Sequence, residues 1–89
     1  MQEQTVIIVN KLGLHARAAS KFVNEAKRFG ATIQIEVGGK RVDGKSIMSI
    51  MLLAASKGQS LTLRTTGDDE AEAMNAITAL IANRFGEDE

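Results

Sequence analysis

The sequence predicts an α+β domain of two layers, with helices packed on one face of an open sheet. Three observations predict it. Apolar and polar residues alternate in two short stretches, around Ile33 and Leu61, as half-buried strands do. Two longer stretches, beginning near Ala16 and near Asp69, carry one apolar stripe at helical spacing. The elements then follow in the order β-α-β-β-α-β-α, with no internal repeat and no low-complexity linker.

Taken in order, Thr5-Val6-Ile7-Ile8-Val9 is a β-branched run and reads as a buried strand. Residues 10–14 form a loop in which Gly13 is free to take unusual backbone angles. A helix follows over 16–29, with Ala19, Phe22, Val23 and Ala26 on its buried stripe and Gly30 as its stop. Residues 32–37 alternate strictly, with Ile33, Ile35 and Val37 on one face. Gly38-Gly39 is a two-residue hairpin turn, and 40–42 returns as a short strand broken by Asp43-Gly44. Ser46 caps a second helix over 47–56, ended by Gly58. Residues 60–66 form a fourth strand. Asp68 or Asp69 caps the last helix, whose first turn is acidic and whose stripe is Met74, Ile77, Leu80 and Ile81. Residues 86–89 read as a frayed tail.

Composition bounds the function. Eighty-nine residues, 44% hydrophobic, make one domain over 1–89 with a core of moderate size. No apolar run is long enough to span a bilayer, and Met1-Gln2-Glu3-Gln4 opens no signal peptide, so a soluble cytoplasmic protein without membrane insertion is expected. Cysteine is absent, which removes disulfides and thiolate metal sites. Charge is uneven: residues 1–67 hold ten Lys/Arg against four Asp/Glu, and the remainder one against seven. A basic region attracts nucleic acid, phosphate or an acidic protein. Nucleic acid is the poorest fit, because there are three Phe, no Trp and no Tyr, and none of the Phe lies where bases could stack on a strand.

The chemistry centres on Asn10-Lys11-Leu12-Gly13-Leu14-His15-Ala16-Arg17, which holds the only histidine. His15 stands at a helix start, where unpaired N–H groups of Ala16, Arg17 and Ala18 favour an anion. A neutral imidazole nitrogen is a good nucleophile and a good leaving group for phosphate. Arg17 is near enough to offer a guanidinium to phosphoryl oxygens, and small Ala16 leaves the approach open. The same residues also fit a capping histidine beside a solvated arginine. A metal site fits these residues less well still, because no second His and no Cys can join it.

Two stretches carry a family resemblance. Lys11-Leu12-Gly13-Leu14-His15-Ala16-Arg17-Ala18-Ala19 resembles the active-site stretch of the HPr family, the histidine-containing phosphocarriers of the bacterial phosphotransferase system. Gly44-Lys45-Ser46-Ile47-Met48-Ser49-Ile50-Met51 is similar to that family's regulatory-serine segment. Length and element order match as well. The resemblance implies a four-stranded antiparallel sheet as an open-faced sandwich, with three helices on one face. It implies that His15 takes a phosphoryl group on Nδ1 from phospho-enzyme I and passes it to EIIA domains, with Arg17 stabilising it, no cofactor and no enzymatic turnover. It also implies phosphorylation of Ser46 by HPr kinase/phosphorylase where the organism has that enzyme. Ala18 departs from the proline of many members and restores an N–H that proline lacks. The nitrogen-related regulatory branch shares the His-Ala-Arg stretch. The element order is also that of ferredoxin-like ligand-binding modules, which give no reason for a histidine at the first helix start.

The second helix has two apolar clusters, Ile50/Leu53/Ala54 and Ile47/Met48/Met51, where a surface helix needs one. With the resemblance, the second cluster is expected to dock enzyme I and EIIA, with Ala16 beside it and Lys21 and Lys45 as a basic rim. Methionine suits a surface that accepts unlike partners in turn. A monomer suits a carrier that must shuttle.

Overall fold

The computed structural model describes residues 1–87. Its elements are β1 (Gln2–Ile7), α1 (Ala16–Ala26), β2 (Thr32–Val37), β3 (Lys40–Asp43), α2 (Ile47–Leu52), β4 (Ser60–Thr66) and α3 (Glu70–Ala82), closed by a 3₁₀ turn, Arg84–Gly86. The four strands form one antiparallel sheet in the order β1-β4-β2-β3. The open-faced architecture expected from the sequence is therefore present.

Register decides which residues meet the helices. Ile35 stands between Leu63 and Val42, and Ile33 beside Thr65, so one face is a continuous apolar surface. Phe22 and Val23 of α1, Ile50 of α2 and Ile77 and Ile81 of α3 are buried with it. Gly38 and Gly39, at φ +58 and +83, make the tight turn that sets Val37 opposite Lys40.

The first strand differs from expectation. It runs earlier than 5–9 and lies at the sheet edge. Val6, opposite Leu61, faces the core; Thr5 and Ile7, opposite Thr62 and Ser60, lie on the uncovered face, and Ile7 is half exposed. A β-branched run reports strand preference and not burial on both faces. Ile8, past the strand end, is the residue that is buried.

Both early helices are shorter than their patterns. α1 ends at Ala26 because Arg28 and Phe29 turn back to the Glu25 and Ala26 carbonyls, a tightened last turn. Gly30 is thus not its stop, and does not take a left-handed φ. α2 ends at Leu52 because Leu53 and Ala54 turn back to the Ile50 and Met51 carbonyls and Ala54 takes φ 50; beyond it the Ala55 carbonyl accepts the Leu14 N–H. Ala54 is consequently exposed rather than packed with Ile50 and Leu53, and Gly58 belongs to a later turn.

α3 carries Met74, Ile77 and Ile81 in the core and Leu80 at its margin. Asp69 is its N-cap residue but makes no capping bond; its carboxylate accepts the N–H groups of Gly30 and Ala31 at 2.9 Å each. Of the expected frayed tail, Gly86 closes the 3₁₀ turn and Glu87 is bonded to the body of the protein. Asp88 and Glu89 lie outside the described residues.

Asp69 thus ties the α1–β2 connection to α3. Asp69→Ala is expected to lower unfolding stability by about 1–3 kcal/mol, chiefly through the unpaired Ala31 N–H, as urea denaturation would measure.

Candidate functional site

The loop before α1 is fastened to the end of α2. Gly13 takes φ +66, and a Cβ there would collide with the Ala55 carbonyl oxygen and lie 2.7 Å from the Ser56 Cα. Only glycine permits both the angle and the approach. Leu14, buried, bonds the Ala55 carbonyl at 3.0 Å. His15 follows in extended conformation (φ −73, ψ 178) and caps α1.

The two nitrogens of the His15 ring have different partners. Nδ1 accepts the Arg17 N–H at 3.3 Å, inside the first turn of α1. Nε2 lies 2.6 Å from Glu87 Oε2. A nitrogen that accepts a hydrogen bond bears no proton, so in the neutral ring the proton sits on Nε2 and points at Glu87. Glu87 Oε1 accepts from Asn10 Nδ2 at 2.9 Å, and that same amide donates to the Gly13 carbonyl at 2.7 Å. Asn10 is fully buried and its Oδ1 has no partner among the described residues, a cost of about 1–3 kcal/mol that its two donated bonds offset. Burial opposes charge on Glu87, but hydrogen bonds from Asn10 and His15, with the charges of His15 and Lys21, outweigh it and hold the carboxyl below its ordinary range.

Of the other predicted positions, Ala16 and Arg17 are exposed beside the ring, and Arg17 makes no ion pair with the described residues. Ala18 is fully buried in the core. Ser46 caps α2, accepting the Ser49 N–H at 3.3 Å. Ile47, Met48 and Met51 are exposed, whereas of the other cluster Ile50 is fully buried, Leu53 half-buried and Ala54 exposed. Lys21 and Lys45 are less available than a free rim: their Nζ atoms donate to the Phe85 and Phe29 carbonyls at 2.6 and 2.7 Å.

Sequence reasoning missed four residues. Leu52 and Leu12 are large apolar side chains 71% and 66% exposed; Leu52 was hidden by the overlong helix, and Leu12 sits in a loop without periodicity. Asn10 read as a plain loop residue. Glu87, 72 positions from His15, left no local signal. Among the described residues no cluster of three His, Asp or Glu could hold a metal.

Comparison with known proteins agrees with this geometry. The family model described as "PTS HPr component phosphorylation site" matches residues 2–83. The chain is 52% identical over 89 residues to the phosphocarrier protein HPr of Cupriavidus necator, covering all of both chains. It is 53% identical over 85 residues to that of Pseudomonas aeruginosa, covering 94% of each. The crystal structure of HPr-C-His from Thermoanaerobacter tengcongensis superposes with a TM-score of 0.96 at 47% identity over all of both chains. These matches place the chain among the phosphocarriers, proteins that ferry a phosphoryl group instead of turning over a substrate as enzymes do. More narrowly, it belongs to the HPr family and serves the sugar phosphotransferase system, with enzyme I and EIIA domains as its partners.

The Glu87 contact has a defined pH dependence. Its folded value lies below the ordinary 4.5, so its stabilisation is full above that pH and is lost as the pH falls through the lower, folded value. An acid titration followed by NMR should show the Glu87 carboxyl signal moving below pH 4.5, not above it.

Proposed function

We propose that His15 Nδ1 is the atom that accepts the phosphoryl group from phospho-enzyme I and yields it to EIIA. One observation carries the reading: the unprotonated nitrogen faces the N-terminus of α1, and the protonated one is turned away toward Glu87. In-line attack by the Nδ1 lone pair would form the P–N bond as the donor's P–N bond breaks. The incoming oxygens would replace Nδ1 as acceptors for the Arg17 N–H and meet the partial positive charge of the helix start. The exposed Arg17 guanidinium would add a bidentate donor to the same oxygens. Little else is required, because phosphoryl transfer depends mainly on positioning and charge.

The proposed docking surface is Ala16, Ile47, Met48 and Met51, widened by Leu12 and Leu52. The loop's bond to Ala55 supports it, since that bond sets the histidine and the α2 patch side by side. Lys21 and Lys45 contribute charge near this surface while their ammonium groups stay on backbone carbonyls. Ser46 is the proposed regulatory site for HPr kinase/phosphorylase. A phosphate there adds about −1.5 to −2 charges at the edge of an apolar patch, which favours the α2 start and disfavours docking. The carrier works as a monomer in the cytoplasm.

Incubation with phosphoenolpyruvate and enzyme I should add one acid-labile phosphate by mass, and His15→Ala should add none. A phosphate on the His15→Ala protein would sink the assignment. Arg17→Ala is expected to slow transfer by about 100-fold. Met48→Asp should raise the KM for enzyme I by about tenfold or more, measured by steady-state transfer, because it places a charge within an apolar contact.

A further inference from the structure

The polypeptide after α3 is shaped to return to His15. Arg84 and Phe85 both take φ 55, a left-handed conformation that side chains other than glycine seldom adopt. Phe85 is fully buried, and its carbonyl accepts from Lys21 Nζ at 2.6 Å. Two residues later, Glu87 spans Asn10 and His15 with its two oxygens. Asn10 is locked in turn, because rotating its amide would aim Oδ1 at the Gly13 carbonyl and the Glu87 carboxylate, both acceptors.

We infer that Glu87, oriented by Asn10, is a positioning residue for the phosphoryl-carrying histidine: it fixes the Nε2–H tautomer before transfer and keeps that proton on the ring while Nδ1 is phosphorylated. The inference rests on the preceding assignment of His15 Nδ1 as the phosphoryl-bearing atom. The chemistry gives the proton its importance. When Nδ1 attacks phosphorus, its lone pair becomes the P–N bond and the ring, still bearing Nε2–H, becomes cationic. The Glu87 carboxylate lies against that charge. On donation the P–N electron pair returns to Nδ1, and the ring leaves as neutral imidazole. Without the Nε2 proton the leaving group would be imidazolate, a far poorer one. Among the described residues, the charged groups around the ring include Glu87 from the C-terminal segment, Arg17 on α1, and Lys21 on α1 behind Glu87. Of these, only Glu87 is placed to hold the Nε2 proton.

The test uses protein labelled with ¹⁵N in the histidine ring and charged with phosphoramidate, a small donor that needs no docking. In the uncharged protein the spectrum should show Nε2 protonated and Nδ1 not. In Glu87→Gln the pH at which the phosphorylated ring loses its Nε2 proton should fall by about one unit. Loss of phosphate at high pH should change over the same shifted range. Glu87→Asp, which keeps the charge, should recover part of the shift, and an unchanged amide spectrum would show that both variants fold. If Glu87→Gln titrates like the parent while phosphate sits on Nδ1 of His15, the Glu87 inference alone falls. If phosphate appears on Nε2, or on the His15→Ala protein, the assignment of the preceding section falls with it.

Discussion

A single backbone hydrogen bond, from the Leu14 N–H to the Ala55 carbonyl, organises the functional end of this protein. It gives the Ala55 carbonyl, which lies beyond the end of α2 and the left-handed Ala54, a partner from the loop. It draws the loop so close that residue 13 has no room for a side chain. It also fixes the spacing between His15 and the exposed apolar residues of α2. A partner seated on the proposed patch of Met48 and Met51 would therefore already be beside the ring. The histidine and the proposed docking surface are joined through backbone, which is stiffer than any side-chain contact between them could be.

The environment of His15 suits a group that must be both taken up and given away. The ring is partly exposed and Nδ1, the nitrogen proposed to react, is held by one long N–H bond, so little would be lost if phosphate displaced it. Arg17 is exposed, where solvent moderates the attraction of its charge for phosphate. A deeper, fully charged pocket would stabilise the phosphorylated form and make the carrier a poor donor. The opposite nitrogen is held more tightly, by a carboxylate that is itself held by a buried amide. Rigidity lies behind the ring and freedom in front of it.

The uncovered face of the sheet shows how a two-layer domain treats its second surface. Arg64 in β4 reaches Glu3 on β1 and Glu36 on β2, and Arg41 on β3 also approaches Glu36. The hydrogen bond from Arg64 lowers the Glu36 pKa against the opposing effect of burial. Such exposed pairs add little stability each. Charged and hydroxyl side chains across β1, β4, β2 and β3 keep this face wet, which leaves the helical side as the place for apolar docking.

Periodicity carried much of this structure. Residues 32–37 and 60–66 alternate so strictly that their strands, and the buried partners Ile33, Ile35, Leu61 and Leu63, were legible with their boundaries. The stripe of α1, the glycine hairpin and the histidine and serine caps were legible too, because each depends on neighbours within a few residues. Helix ends were not. Apolar residues continue past Ala26 and Leu52, and what stops each helix is a last turn tightened by bonds to the carbonyl three residues back. Nor could local pattern place β1 at an edge, since that depends on which strands pair. Glu87 is the plainest case: alone it is one more acidic residue in an acidic tail, and only the buried Phe85 and the left-handed turn bring it to His15. The sequence by itself determined the layers, the strand faces and which residue could carry a phosphoryl group, because these follow from local period and side-chain chemistry. The tertiary structure alone decided which nitrogen of that residue is free, because that depends on partners up to 72 positions apart along the chain.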